Sequence, residues 1–311
     1  MKKIILPALF GLIFIVLILT VFYYQNQGPA ARLQLNHPGK MQTAPEKKTD
    51  ALWPVNHDTI SYTLQNHAIH ITFNKGHNWI KVPVETDALF GGEYNGNREE
   101  LIEGSYILTQ NRAGFLTFDE ADGENTKVVF TWTPDQGKTW RKSVVTGYFP
   151  SLRFRKVAFI NAQSGYVILS GDRTMSQEVS RVYLTHNGGQ SWKNVSDPGV
   201  TRLISDGGFV NASTGFLSYG TINPEKPDLY VTRDGGKSWE KASIHIPEKY
   251  QKIFVTAEVP KIEGDHLSVL VSQGPNGDYQ GGKLKGKFIS KDNGRTWTFS
   301  MEVQQDETEH E

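Results

Sequence analysis

Two regimes of hydrophobic patterning divide the chain. Residues 4–24 are uncharged and almost continuously apolar, close to the roughly 20 residues a helix needs to cross a hydrocarbon core. From residue 51 to 303 the apolar positions come instead in short β-branched and aromatic runs bounded by Gly, Asn, Asp and Pro, the pattern of short strands and tight turns. Residues 154–160, 165–171, 180–185 and 192–195 are the clearest set, four strands that make one unit. The same reading gives a first unit of strands at 52–56, 59–64, 68–73 and 79–84. Between the two regimes, residues 25–50 are polar, carry Pro29, Pro38 and Pro45 and lack apolar periodicity, as expected of a flexible spacer.

The units repeat. The octad TPDQGKTW at 133–140 returns as THNGGQSW at 185–192, TRDGGKSW at 232–239 and SKDNGRTW at 290–297, with a worn copy, TFNKGHNW, at 72–79. The segments NRAGF at 111–115, NAQSGY at 161–166 and NASTGF at 211–216 keep the same phase, each about 25 residues before a frame tryptophan. Each frame suits a hairpin turn. Its Asp or Asn accepts backbone N–H bonds, its Gly supplies positive φ, and its hydroxyl residues satisfy nearby backbone. The expected structural residues are therefore Asn74, Asp135, Asn187, Asp234 and Asp292, with Trp79, Trp140, Trp192, Trp239 and Trp297 packed between adjacent sheets. An Asp committed to turn N–H groups does not serve as an acid or a nucleophile.

These frames resemble the Asp-box (BNR) repeat, Ser/Thr-x-Asp-x-Gly-x-Thr-Trp, of the sialidase-like β-propeller superfamily, over residues 51–303. The Asn-x-x-x-Gly-aromatic segments resemble bacterial propellers of the photosystem II stability/assembly factor-like group. The resemblance implies an all-β β-propeller. Its four-stranded blades number about five, or six if 85–104 hides strands. Along one blade the Asn-x-x-x-Gly turn joins the first two strands and the Asp-box the last two, so both fall on one face. The opposite face then gathers the long connections, 85–104, 119–127, 147–153, 171–178, 196–202, 220–228, 246–252 and 272–283, where binding chemistry on a rigid scaffold concentrates.

Composition narrows the classes. Lys and Arg total 33 against 33 Asp and Glu, so there is no surplus of positive charge for phosphate neutralisation and no nucleic-acid partner is expected. The absence of cysteine excludes disulfide frameworks, thiolate metal sites and cysteine nucleophiles. Lys2 and Lys3 before the apolar stretch predict a cytoplasmic N-terminus. The expected organisation is a membrane anchor (1–24), a linker (25–50), an extracytoplasmic propeller (51–303) and an acidic tail (304–311). A cleaved signal peptide ending near Ala30 and Ala31 is the alternative.

A sialidase, as the resemblance implies, uses three arginines on the substrate carboxylate, a Tyr nucleophile with a Glu, and an Asp acid/base. Its first-blade Phe/Tyr-Arg-Ile-Pro motif has no counterpart in Leu52-Trp53-Pro54-Val55-Asn56, and the nearest string, Phe154-Arg155-Lys156-Val157, lacks the proline. The loop-face candidates are Tyr94, Arg98, Tyr148, Arg153, Arg155, Arg173, Arg202 and Tyr279, read as a noncatalytic ligand surface for a protein or glycan. Catalysis by a sialidase-like glycoside hydrolase, or sugar binding as a lectin, is the alternative function. No catalytic residue, cofactor or metal is assigned. The acidic turn at 119–125 lacks the ligand order of an EF-hand loop, and the histidines lack metal-ligand spacing.

Overall fold

The computed structural model describes residues 52–56, 58–94, 96–121 and 125–304. The expected anchor, the linker and residues 305–311 of the tail lie outside these residues, as do Asp122, Gly123 and Glu124 of the acidic turn. No helix among the described residues is long and apolar enough to cross a membrane.

The strands assemble into five sheets in chain order. Sheet I holds β1 (Ser61–Gln65), β2 (Ala68–Thr72) and β3 (Ile80–Lys81). Sheet II holds β4 (Tyr106–Leu108), β5 (Ala113–Ala121), β6 (Asn125–Thr133) and β7 (Arg141–Pro150). Sheet III holds β8 (Leu152–Phe159), β9 (Gly165–Thr174), β10 (Gln177–Thr185) and β11 (Lys193–Val195). Sheet IV holds β12 (Ile204–Phe209), β13 (Gly215–Tyr219), β14 (Asp228–Thr232) and β15 (Glu240–Lys241). Sheet V gathers β16 (Ser243–His245), β17 (Thr256–Ala257), β18 (Lys261–Glu263), β19 (His266–Ser272), β20 (Leu284–Ser290) and β21 (Thr296–Gln304). Sheets II to IV are antiparallel meanders in sequence order, whereas β16 adds to the edge of sheet V in parallel with β21.

Successive sheets pack face to face through four apolar clusters. The second strand of a sheet feeds two of them at once: on β9, Tyr166 and Ile168 join the cluster shared with sheet IV, while Val167 and Leu169 join that shared with sheet II. Side chains alternate across a strand, so a strand covered on both faces reads as a continuous apolar run. Phe216 and Leu217 divide in the same way on β13.

The octads form the turns expected of them. In the second frame Thr139 N donates to Asp135 Oδ1 at 2.8 Å, Thr139 Oγ1 to Asp135 Oδ2 at 2.7 Å, and Gly137 N to Thr133 Oγ1 at 2.7 Å. The same bonds recur around Asp234 and Asp292, and Asn74 and Asn187 accept the equivalent backbone bonds. The frame glycine is required twice over. It sits at φ +80 to +85, and a Cβ on Gly137, Gly189, Gly236 or Gly294 would press on Ile80, Phe130, Val195 or Phe216 of the preceding sheet at 2.4–3.0 Å. The second to fifth Asp-boxes thus dock their sheets onto the one before.

The common face of the two turn types is evident from backbone bonds that tie them together: Gln136 N to Asn111 O, Gly188 N to Gln163 O and Gly235 N to Ser213 O. Three expectations are corrected. Residues 52–56 form no strand, because Pro54 has no N–H for a ladder; a single backbone bond, Val55 N to Tyr62 O, remains. The connections at 119–127, 147–153 and 171–178 are largely continued hairpin rather than loop, with β5, β7 and β9 running 9 or 10 residues. Among the frame tryptophans only Trp297 is fully buried; Trp79, Trp140, Trp192 and Trp239 are half-buried, Trp192 and Trp239 packed edge-on to Phe130 and Phe209.

Candidate functional site

A β-bulge decides what the arginines of β8 reach. The register of β8 on β9 shifts between Leu152 and Phe154, so Arg153 falls out of the regular alternation. Its guanidinium makes a two-pronged ion pair with Glu178, both bonds 2.6 Å, and donates to Ile204 O at 2.8 Å. Glu178 in turn accepts from Ile204 N at 2.6 Å, so the pair staples sheet III to sheet IV. Lys156 does the same through Asp206 at 2.6 Å. Arg155 points to the other side, buried (3 % exposed), with its carbon Cζ 4.4 Å from the Phe118 ring centroid. Its Nε and Nη1 have no hydrogen-bond partner, and burial pulls its pKa down to about 10.

The remaining candidates are dispersed. Arg202 bonds Asp228, which also holds Lys241; burial works to lower the Arg202 pKa, but the Asp228 bond outweighs it and keeps the pKa raised. Arg98 is exposed, 3.5 Å from Asp87 and beside the Phe90 ring. Tyr94 stacks on Phe90 and donates its hydroxyl to Asn97 O. Arg173 donates to Met175 O at a hairpin tip. Tyr148, on β7, is 54 % exposed. The arginines therefore engage different groups and form no common cluster.

Two candidates border clefts on the long-loop face: Arg98, at a cavity of about 460 Å³ lined by Asp87, Phe90, Phe118 and Asp119, and Tyr279, at a second cleft between sheets IV and V. There the connections 220–227, 246–255 and 273–283 of sheets IV and V enclose about 180 Å³. Asn223 and Lys252 enter it in left-handed backbone at φ +45 and +61. Gly274 is needed at φ +73, where a Cβ would crowd Val255, Pro224 and Thr256 at 3.1–3.4 Å. The floor is Gln273, 7 % exposed, whose Nε2 donates to Tyr279 O at 2.9 Å and Leu284 O at 3.0 Å. Two carbonyl acceptors fix the amide orientation, leaving Oε1 the free group, and it has no partner. Thr256 Oγ1, in the same wall, is also buried and unpartnered. Sequence reading singled out neither residue, since a lone Gln at a strand end belongs to no motif.

A larger cavity, about 540 Å³, opens on the Asp-box face between sheets II and III. Arg112 lies 3.6 Å over Phe159 and donates from Nη1 and Nη2 to Ala162 O and Gly188 O, its buried Nε having no partner, and Asn187 is tied into its own turn. No group of three or more His, Cys, Asp or Glu that would hold a metal ion occurs among the described residues.

Stacked, largely four-stranded sheets, each with an Asp-box between its last two strands, define a β-propeller of the Asp-box kind. The BNR/Asp-box repeat family model matches residues 230–241, the fourth frame. Among solved structures, the chain resembles a GH74 enzyme of Niastella koreensis (TM-score 0.42, 15 % identity) over 80 % of this chain and 36 % of that one. It resembles a GH74 xyloglucanase of Xanthomonas campestris (0.41, 15 %) over 80 % and 38 %. A mutant Trypanosoma rangeli sialidase displaying trans-sialidase activity (0.38, 12 %) is similar over 68 % and 40 %. The chain thus spans little more than a third of the length of the two GH74 enzymes, and the substrates in these names belong to those proteins. A comparison with curated proteins returns no match.

Proposed function

We propose that this protein is a noncatalytic recognition module that binds a protein or small ligand on its long-loop face, at the cleft between sheets IV and V. The observation that carries the reading is the separate engagement of the arginines. Arg153 is committed to Glu178, Arg202 to Asp228 and Arg155 to the Phe118 ring. A sialidase-like glycoside hydrolase needs arginines gathered on one substrate carboxylate. Recognition needs only a concave patch with a few polar anchors, and the cleft supplies these. The anchor at residues 4–24 would hold the module on the extracytoplasmic side of the membrane.

The test replaces Arg98, Tyr148 and Tyr279 singly by Ala, with Gln163→Ala and Gln190→Ala on the Asp-box face as controls. Retention of components from a membrane extract and hydrolysis of a fluorogenic sialoside are then measured. Loss of retention with Tyr279→Ala but not with the controls supports the reading. Retention lost only with the controls, or sialoside turnover by the wild type, overturns it. Protease added outside intact cells should reach residues 51–303, and protection there would overturn the assigned side.

A further inference from the structure

The cavity on the Asp-box face between sheets II and III is furnished with donors and no ionised acceptor. Among the described residues it is lined by two arginines, Arg112 and Arg141, and by no Asp or Glu. Arg153, Lys156, Lys285 and Lys287, half-buried like Arg112, each hold a carboxylate at 2.6–2.7 Å. Arg112 holds none among the described residues, only the Phe159 ring and two backbone carbonyls. Its bond from Nη1 to Ala162 O is long, 3.4 Å, and exposed, so this edge of the guanidinium is within reach of a ligand. One wall is continuous: Arg112 lies on Phe159, Phe159 stacks on Phe130 at 5.8 Å, and Phe130 on Trp132 at 5.3 Å. Trp132 is 3 % exposed, yet its indole N–H, unlike the sealed Nε of Arg112, is open and meets no acceptor among the described residues. A buried tryptophan N–H ordinarily finds a partner. Arg141 is the direct cross-strand neighbour of Trp132, an arrangement that sets the two Cβ atoms about 4.5–5.5 Å apart on one face of the sheet. Asn161 adds a fourth donor, because its Oδ1 accepts from the N–H groups of Gln163 and Ser164 at 2.9 and 2.8 Å and its NH₂ is left as the free group.

We propose that this cavity binds a small organic carboxylate with an apolar body of about ring size, at a site on the face opposite the loop-face cleft and independent of it. A carboxylate answers the two guanidiniums and the Trp132 N–H together, and Arg is the side chain whose planar fork best matches it. The body lies against the wall made by Phe159, Pro134 and Ala162. A cation would meet Arg112 and Arg141 as like charges. A neutral amide or polyol would leave both charges unanswered. An inorganic anion would answer them but fill little of about 540 Å³ and leave the apolar wall wet.

The experiment is a ligand-observed NMR titration of the full chain in detergent, blanked against detergent alone, with benzoate, benzamide, acetate and inorganic phosphate. Benzoate is expected to bind saturably, with the other three each at least about tenfold weaker, the loss of either the charge or the buried body. Arg141 is exposed, so Arg141→Met leaves the fold intact, and Trp132→Phe keeps a ring on Phe130 while removing the N–H. Trp132→Phe should weaken benzoate about two- to tenfold, the effect of one net hydrogen bond. Arg141→Met should weaken it about two- to fivefold, the effect of one exposed ion pair, and leave benzamide unchanged. Met175→Ala, at an exposed hairpin tip on the opposite face, should leave benzoate binding as it was. Benzoate no tighter than benzamide, or benzoate binding unchanged in both Arg141→Met and Trp132→Phe, overturns the proposal. Phosphate as tight as benzoate would leave an anion site without an organic ligand and overturns it too, as does benzoate binding lost in Met175→Ala.

Discussion

Trp297→Ala is the sharpest test of the packing. Trp297 is the one fully buried frame tryptophan, its ring edge-on to Phe216 of sheet IV at 6.0 Å, with its indole N–H donating to Gly294 O at 2.9 Å. The same Gly294 abuts Phe216 so closely that a Cβ would stand 2.4 Å from the ring. Truncation therefore opens a void at a junction that has no slack to collapse into it. Burying and then deleting an aromatic of this size costs about 3–5 kcal/mol, and leaving the Gly294 carbonyl unpaired adds toward the upper end. For a folded region of this length, each kcal/mol moves the melting temperature by about 2–4 °C, so a drop of roughly 6–20 °C is expected. The assay is thermal unfolding by circular dichroism beside urea titration, with Trp79→Ala as comparison because Trp79 is only half-buried. A loss under about 1 kcal/mol, or one equal to that of Trp79→Ala, would refute the packing.

Arg153→Met should cost about 3 kcal/mol in urea titration, because the Glu178 side chain is fully buried and would be left as an unpaired charge; full stability would mean that the staple between sheets III and IV is dispensable. Gly236→Ala should lower the melting temperature, since φ is +80 and Val195 lies 2.6 Å from the added Cβ; an unchanged melt would contradict the docking of frame four on sheet III. Asp292 is subject to a burial effect that alone would raise its pKa, but the bonds from Thr296 outweigh it and hold it at about 2, below the ordinary 3.8. A depressed folded value stabilises above the unfolded pKa and is lost as pH falls through the folded one, so wild-type stability should decline from about pH 4 toward pH 2. The decline should be shallower in Asp292→Asn, and identical acid limbs would refute the assignment.

The Asp-box turns were legible in sequence because each of their four requirements, hydroxyl, Asp or Asn, Gly and Trp, falls at a fixed offset and is imposed by local backbone geometry. Less local features were not. The parallel strand β16 is three residues, Ser243, Ile244 and His245, too short to carry a period. The hairpins beyond 119, 147 and 171 continue on ladder hydrogen bonds, which polar side chains do not interrupt, so their composition reads as loop. The partners of Arg153 and Arg155 depend on a bulge that changes which side of the strand each residue faces. Tyr279 was singled out with the loop face, but the Gln273 acceptor beneath it exists only because two carbonyls from elsewhere in the chain, at Tyr279 and Leu284, hold its amide in place.

The central claim is that the arginines of sheets III and IV hold the fold together and do not act on a substrate. Sialoside turnover and melting temperature measured on the same preparations of wild type, Arg153→Met and Arg202→Met test it most directly. The account predicts no turnover in any of the three and a lower melting temperature for Arg153→Met. Turnover by the wild type that disappears in both variants while their melting temperatures stay unchanged would contradict it.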